Sequence, residues 1–176
     1  MTHEFTIVAS GPDPRADDFE SRFYDAGCDD ATVSFQKGHV LIDFAREADT
    51  FAEALASAIE AVRAAGAVVV RVEPDPLVSL SDIAARADMT RAAISLYAKG
   101  ARGDGDFPAP VARVTTESPL WEWAAVSKWL YRRRKLARPE VVAALAVAEA
   151  NALVASGVGD FAARLSRRVQ DVEKSI

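Results

Sequence analysis

Apolar residues along the first 73 positions follow two different spacings, and the chain switches between them four times. Four short runs are β-prone or alternate between apolar and polar side chains, at residues 5–10, 32–36, 39–44 and 68–72. Two longer segments repeat apolar side chains every three or four positions, at residues 16–26 and 51–65. The dipeptide Lys37-Gly38 fits a two-residue hairpin turn between the second and third runs. The predicted order is strand, helix, strand, strand, helix, strand.

This order predicts an N-terminal ferredoxin-like βαββαβ sandwich over residues 1–73, within a chain of the α+β class. Such a fold does not specify a function. RNA binding is disfavoured, because residues 1–78 carry 15 acidic and only 6 basic side chains. Ligand sensing stays open. Protein interaction or dimerisation through the sheet face and its edges is favoured, and five acidic residues could meet a basic protein partner: Asp29, Asp30, Asp43, Glu47 and Asp49.

Residues 80–100, LSDIAARADMTRAAISLYAKG, predict two short helices joined by a tight turn. We expect Ser81 to cap the first helix and Thr90 to cap the second, because a hydroxyl can accept from an unpaired backbone N–H. In the second helix Ile94 and Tyr97 fall on the buried stripe. The residues left outside are Thr90, Arg91, Ala92, Ser95 and Lys99. The second helix of such a motif enters the major groove of DNA, so this stretch predicts DNA binding.

Further along the chain, β-prone runs at residues 111–114 and 120–123 flank a polar connection and precede a helix over residues 124–133. Helix, turn, helix, hairpin, helix is the element order of a winged helix-turn-helix. Three tryptophans fall close together in this segment, at Trp121, Trp123 and Trp129. Tryptophan buries a large area, so we expect a small aromatic core here rather than base stacking.

Four short motifs of this segment together resemble a known family. The motifs are Asp82-Ile83-Ala84, TRAAIS from Thr90 to Ser95, FPAPV from Phe107 to Val111, and LWEWAAVSKWL from Leu120 to Leu130. Over residues 78–135 they resemble the small winged helix-turn-helix proteins of actinobacteria, which are related to MerR, AlpA and excisionase-like DNA-binding domains. The resemblance implies that Thr90, Arg91, Ala92 and Ser95 face the major groove. It also implies that Arg113, beside the wing, contacts phosphate or the minor groove.

One segment departs from the family pattern. Residues 101–106, ARGDGD, form a longer, acidic and glycine-rich connection after the second helix. Asp104 and Asp106 would repel phosphate if they faced it.

The net charge of −5 conceals a segregation of charge along the chain. Residues 79–138 carry 11 basic and 6 acidic side chains, and the densest basic cluster consists of Arg132, Arg133, Arg134, Lys135 and Arg138. Electrostatic attraction is screened over about 10 Å at moderate salt, so a basic module can bind DNA beside an acidic one. We expect the cluster to contact phosphates; the alternative is a solvated helix end that offsets the helix dipole.

The prolines Pro74 and Pro76 predict a linker at residues 74–77, which places the winged helix-turn-helix domain at residues 78–138. Residues 139–176 predict a helical tail of two helices, interrupted at Gly157-Val158-Gly159. This tail could fold back on the N-terminal domain or pair with a second copy. Because repressors of this kind read paired half-sites, we expect a homodimer.

Nothing in the sequence predicts catalysis, a cofactor or a metal site. His3 and His39 are the only histidines, and no Cys/His set has zinc spacing. The single cysteine, Cys28, cannot form an internal disulfide, which fits a reducing cytoplasm. No signal peptide and no continuous apolar run of membrane-spanning length is visible. We therefore expect a cytoplasmic protein that is not an enzyme and does not bind membranes.

The sequence predicts a sequence-specific DNA-binding transcriptional regulator, expected to be a repressor, with double-stranded DNA as its partner. The helix over residues 90–99 would read the major groove, Arg91 and Ser95 at base edges, and the cluster 132–135 would add salt-dependent affinity. The alternative is an antitoxin-like or phage-defence component whose acidic N-terminal domain neutralises a protein partner. A ligand-responsive regulator is a third possibility.

Overall fold

The computed structural model describes residues 1–157 and 160–176. Over these residues the chain is α+β, as predicted, with seven helices, a four-stranded antiparallel sheet and a two-stranded sheet. The elements in chain order are β1 (Thr2–Ser10), α1 (Phe19–Asp25), β2 (Ala31–Gln36), β3 (His39–Glu47), α2 (Phe51–Ala64), β4 (Val68–Glu73), β5 (Leu77–Val78), α3 (Leu80–Arg86), α4 (Arg91–Ala98), β6 (Trp121–Glu122), α5 (Trp123–Arg132), α6 (Arg138–Ser156) and α7 (Phe161–Glu173).

The chain divides into two compact units. Unit 1 comprises Met1–Pro74 and Ala146–Ser175, and unit 2 comprises Asp75–Leu145 with Ile176. The division after Pro74 falls at the start of the predicted linker. A second division falls inside α6, so the C-terminal residues cluster with the N-terminal sheet.

The strands of unit 1 form a sheet in the order β2-β3-β1-β4, and every neighbouring pair is antiparallel. The predicted hairpin is confirmed: Lys37 and Gly38 form the turn with φ of 50° and 84°, and Gln36 pairs with His39. Alternate residues of β3 are buried, among them Ile42 and Phe44, because strand side chains alternate between the two faces.

Helix α2 supplies the aliphatic side of the unit 1 core. Thr50 begins it with a capping box, in which the Thr50 hydroxyl accepts from the Glu53 N–H at 3.2 Å and the Glu53 carboxylate accepts from the Thr50 N–H at 3.1 Å. Leu55, Ile59 and Val62 are fully buried. Their three- and four-residue spacing was the sequence signal for this helix.

The end of the chain folds onto the N-terminal part of unit 1, one of the two arrangements that the sequence left open. Helix α7 packs against α2, and the Arg63 guanidinium lies 5.1 Å from the centre of the Phe161 ring. The Asn151 amide on α6 accepts from the Val72 N–H at 2.7 Å and donates to the Val72 carbonyl at 3.0 Å. Both bonds lie on β4, an edge strand. Of the predicted interruption, Gly157 has φ of 63°, and Val158 and Gly159 lie outside the described residues.

Helix α6 is the one helix in the described part of the chain that is long and apolar enough to cross a membrane by length and composition. The sequence prediction, which looked for an uninterrupted apolar run, did not find it. Its mean hydropathy is 1.3 over 18 residues, and 39% of that window is buried within the fold. Buried residues such as Val147, Ala150 and Leu153 and the polar contact of Asn151 are features of a helix in a folded core.

The two-stranded sheet of unit 2 differs from the predicted hairpin. β6 pairs with β5, as Val78 opposite Trp121, and β5 is a segment that the sequence placed at the linker boundary. The predicted strand over residues 111–114 is reduced to a single bridge between Ala112 and Leu120. Proline removes a ladder N–H at positions 108, 110 and 119. Arg113 then takes φ of 51°, which ends the pairing.

Candidate nucleic-acid interface

The aromatic core of unit 2 fixes the positions of its helices. Trp121, Trp123 and Trp129 are all buried, which confirms the predicted core role. The Trp121 indole N–H donates to the Pro108 carbonyl at 2.9 Å, so the FPAP segment is held against the core. Tyr97 of α4 meets Trp129 of α5 edge to face, with ring centroids 4.9 Å apart. The second helix of the motif is therefore anchored from its buried side.

Helix α3 begins two residues earlier than the sequence predicts. The cap is Ser79 and not Ser81: the Ser79 hydroxyl accepts from the Asp82 N–H at 3.2 Å, and the Asp82 carboxylate accepts from the Ser79 N–H at 2.8 Å. This capping box needs a carboxylate three residues after the cap, a spacing that Ser79 has and Ser81 lacks. The hydrogen bonds from Ser79 lower the pKa of Asp82 below its ordinary value.

The turn and the start of α4 match the prediction. Asp88 takes φ of 49° and reverses the chain, and the Met89 N–H donates to the Ala84 carbonyl at 2.9 Å. The Thr90 hydroxyl then accepts from the Ala93 N–H at 3.2 Å, which confirms Thr90 as the cap. The first turn of α4 contains no acidic side chain, so no carboxylate within that turn offsets the positive end of the helix dipole.

One face of α4 is open to solvent along its whole length. The exposed residues are Arg91, Ala92, Leu96 and the C-cap Lys99, and Ser95 is half-buried among them. Steps of one, three, one and three residues keep these positions on one stripe of a helix with 3.6 residues per turn. The structure thus brings together the four α4 residues predicted from sequence and adds Leu96, whose side chain is 44% exposed. Its position four residues after Ala92 was the available signal.

The predicted wing residue Arg113 lies in an exposed loop. Its carbonyl accepts from the Thr116 N–H at 3.0 Å and from the Thr116 hydroxyl at 2.9 Å, which closes the turn. Beside it Val114 is 63% exposed. The loop therefore presents one cation and one apolar side chain on a short, hydrogen-bonded turn.

The basic residues 132–135 at the end of α5 differ in their exposure to solvent. Arg132, Arg134 and Lys135 are exposed, and with Asp88 and Glu140 they line an open groove of about 750 Å³. Arg133 points elsewhere, and its side chain is only 20% exposed. After the C-cap Arg133, Arg134 takes φ of 55°, which turns the chain away from the helix.

Arg133 is bound within unit 2. Its guanidinium lies 4.0 Å from the centre of the Trp129 ring and forms ion pairs with Asp104, at 3.2 Å, and with Asp106. The Trp129 indole N–H also donates to Asp106 at 3.1 Å. These bonds, first the one from Arg133 and then the one from Trp129, lower the pKa of Asp106 below its ordinary value. The acidic loop, residues 101–106, is thus held by a cation from the predicted phosphate-binding cluster.

The loop also packs against the end of α4. The Ala101 N–H donates to the Leu96 carbonyl at 2.9 Å, and the Arg102 guanidinium lies 5.1 Å from the centre of the Tyr97 ring. A Cβ added at Gly103 would come within 3.3 Å of Tyr97. The loop therefore needs a glycine where it crosses the aromatic ring.

The exposed cations of the candidate interface differ from Arg133 in their pairing. Arg133 forms two ion pairs within unit 2. Among the residues that the structure describes, the exposed cations of the interface form none: Arg91, Lys99, Arg113, Arg132, Arg134 and Lys135. A set of exposed cations that form no ion pairs within their own unit attracts a polyanion.

The described residues offer little to a metal or a redox partner. Across residues 1–157 and 160–176, no group of three or more His, Cys, Asp or Glu side chains is arranged to hold a metal ion. Cys28 follows α1 and is 2% exposed, and burial raises the pKa of its thiol to about 11. Thiolate at neutral pH is therefore scarce.

Comparison with protein-family models, with curated proteins and with solved structures gives no match.

Proposed function

We propose that unit 2 is a winged helix-turn-helix domain and that this protein is a sequence-specific DNA-binding regulator. The observation that carries the proposal is the solvent face of α4, where Arg91, Ala92, Ser95, Leu96 and Lys99 form one stripe on a helix anchored by buried aromatic rings. A helix held in this way can present fixed side chains to the major groove. The order of strands in unit 1, the acidic unit, supports a ferredoxin-like fold for it.

Base recognition would come from the stripe itself. We assign guanine contact to Arg91, since a guanidinium can bond O6 and N7 together. Ser95, one turn further along, would bond a neighbouring base edge. Ala92 and Leu96 are apolar and lie four residues apart, so they suit contact with thymine methyl groups. Leu96 extends the base-reading set beyond the residues expected from sequence.

Phosphate contacts would come from the residues around the stripe. Thr90 and Lys99 lie at the two ends of α4, Arg113 lies on the wing loop, Arg132 is the last residue of α5, and Arg134 and Lys135 follow that helix. Arg133 has a different role in this proposal. Because it already pairs with Asp104 and Asp106, it holds the acidic loop and compensates its charge. Such a regulator would act in the cytoplasm, as a dimeric repressor, without catalysis or cofactor.

The decisive experiment is selection of bound duplexes from a random pool at two salt concentrations, with the wild type and the Arg91→Ala variant. We expect the wild type to enrich a defined site and Arg91→Ala to lose preference at one guanine, at a cost of about 1–3 kcal/mol on that site. Arg167→Ala, which removes an exposed arginine from α7, is the matched control and should select the wild-type site. Failure of the wild type to enrich any sequence would contradict the proposal.

A further inference from the structure

The two edge strands of the unit 1 sheet, β4 and β2, differ in whether another element bonds to their outer side. At one edge, the Asn151 amide makes two hydrogen bonds to the backbone of β4 at Val72. At the other edge, β2 has β3 as its only paired strand among the residues that the structure describes. Proteins usually protect an edge strand with a charge, a proline, a bulge or a cover. The segment ATVSFQ of β2 has no charge and no proline, and its pairing with β3 runs without a bulge.

The backbone groups on the outer side of β2 can be assigned from the hairpin. Residues that flank a two-residue turn form a hydrogen-bonded pair, so Gln36 bonds to His39, and every second residue before it also faces β3. Val33 and Phe35 therefore direct both N–H and C=O outward. Ala31 directs only its C=O outward, because its N–H donates to the Cys28 carbonyl at 3.2 Å. These groups leave the sheet edge ready for another strand.

Apolar side chains accompany this edge. Phe35 is 46% exposed on β2, and Tyr24 on the neighbouring helix α1 is 65% exposed. Tyr24 and Val33 line a groove between α1 and β2. Large exposed apolar groups beside an unpaired strand mark an interaction surface.

We propose that β2 pairs antiparallel with β2 of a second copy of this chain, with Val33 opposite Val33, so that two four-stranded sheets become one of eight strands. In this register Val33 bonds Val33 twice, and the Phe35 N–H of each copy donates to the Ala31 carbonyl of the other. Small Ala31 and large Phe35 lie opposite each other on the side of the exposed aromatic groups, which matches their volumes.

Charge favours this arrangement over a parallel one. The antiparallel register places Asp29 of each copy opposite Lys37 of the other, at both ends of the paired strands. A parallel pairing would set Asp29 against Asp29 and Lys37 against Lys37, and like charges facing each other across strands are destabilising. The strand between these residues carries no charge that would resist pairing.

The dimer gives the proposed regulator the two copies that paired half-sites require, yet it does not depend on DNA binding. Sedimentation equilibrium of the full chain without DNA therefore separates a failure of this inference from a failure of the proposed function. We expect the wild type to sediment at twice its mass of 18.9 kDa. Val33→Lys should sediment at the single-chain mass, since it places a charge in the middle of the paired strands. Val68→Lys, on the opposite edge strand, is the matched control and should remain a dimer.

A cysteine at the two-fold axis tests the register. The Cα atoms of a hydrogen-bonded antiparallel pair lie about 5.5 Å apart, within the range of roughly 4.4–6.8 Å that a disulfide spans. Val33→Cys should therefore form a cross-linked dimer on mild oxidation, seen on a non-reducing gel. Ser34→Cys should not, because Ser34 lies opposite Thr32 on the other face. The wild type should stay uncross-linked, since its only thiol, at Cys28, is buried.

Three results would overturn the proposal. The first is a wild type that is monomeric at all accessible concentrations, which would leave the edge to a partner such as a basic protein. The second is a dimer that survives Val33→Lys with its mass unchanged. The third is a Ser34→Cys chain that cross-links as fast as Val33→Cys. If circular dichroism shows that Val33→Lys does not fold, the two cysteine variants decide the question by themselves.

Discussion

The two units of this protein use arginine in opposite ways. In unit 1, which carries 18 acidic and 10 basic side chains, Arg22, Arg46, Arg71 and Arg168 each form an ion pair. In unit 2, which carries 8 acidic and 11 basic side chains, Arg133 forms ion pairs, whereas the exposed arginines of the candidate interface form none within the described residues. Arginine thus pairs with carboxylates at four of its eight positions in unit 1, whereas within the described part of the chain it stays unpaired at the exposed positions of the candidate interface in unit 2.

Arg46 and Arg133 show the structural use most clearly. The Arg46 guanidinium is bonded to Asp30 at 2.7 and 2.8 Å and lies 4.7 Å from the Phe44 ring centre. Arg133 is likewise bonded to carboxylates and stacked on an aromatic ring. A planar guanidinium suits both contacts together. Sequence proximity to other basic residues therefore does not establish that an arginine faces a ligand.

The largest expected effect is the loss of stability when the Arg46–Asp30 ion pair of unit 1 is broken. Arg46 is 8% exposed, and Arg46→Met would leave Asp30 without its main partner. Removing one member of such a pair costs several kcal/mol, and we expect a loss of about 3 kcal/mol in the free energy of unfolding in urea. The control Arg22→Met breaks an exposed pair with Asp18 and should cost less than about 1 kcal/mol.

The Arg46–Asp30 ion pair also predicts the direction in which stability changes with pH. The hydrogen bond from Arg46 lowers the pKa of Asp30 in the folded protein below the ordinary value of 3.8. The stabilisation is therefore present above that value and is lost as the pH falls through the lower, folded pKa. The stability difference between the wild type and Arg46→Met should shrink under acid and stay constant near neutrality. A constant difference at all pH values would show that the methionine variant fails for reasons of packing.

The next effect concerns the unpaired cations of unit 2. Replacing Arg132, Arg134 and Lys135 by alanine together should weaken binding to every duplex alike, on the order of 100-fold at low salt, because phosphate contacts carry no sequence information. The slope of log affinity against log salt should fall by about 0.9 for each phosphate that the variant no longer neutralises.

A control with the same charge change keeps that experiment specific. Replacing Arg164, Arg167 and Arg168 of α7 by alanine removes three cations from unit 1. This variant should retain the wild-type salt slope. Equal slopes for the two triple variants would mean that overall charge, and not the cluster after α5, sets the affinity.

The smallest expected effect tests the apolar part of the α4 stripe. On the selected site, replacing thymine by uracil removes only the 5-methyl group, and we expect a loss of about 1 kcal/mol at each thymine that Leu96 or Ala92 contacts. Leu96→Ala should bind more weakly and respond less to uracil. Unchanged sensitivity in Leu96→Ala would assign the contact to another residue.

Local spacing was enough to predict several of these features. Thr90 caps α4, the Lys37-Gly38 dipeptide forms the hairpin turn, and Ile94 and Tyr97 are buried while Arg91 is exposed. Each depends on residues within one turn of helix or one hairpin, where backbone geometry fixes which side chains share a face. The Ser81 cap was wrong even so, because a better capping box lay two residues earlier.

The tertiary structure decided the contacts between residues that are far apart in sequence. Arg133 meets Asp106 across 27 residues, Val78 pairs with Trp121, and Asn151 covers the edge of β4 at Val72. The sequence determined which faces of the helices are apolar and where the charges of each sign collect. It could not determine which carboxylate an arginine meets or which strand edge stays open, because such pairings depend on how the chain closes its long loops around each core.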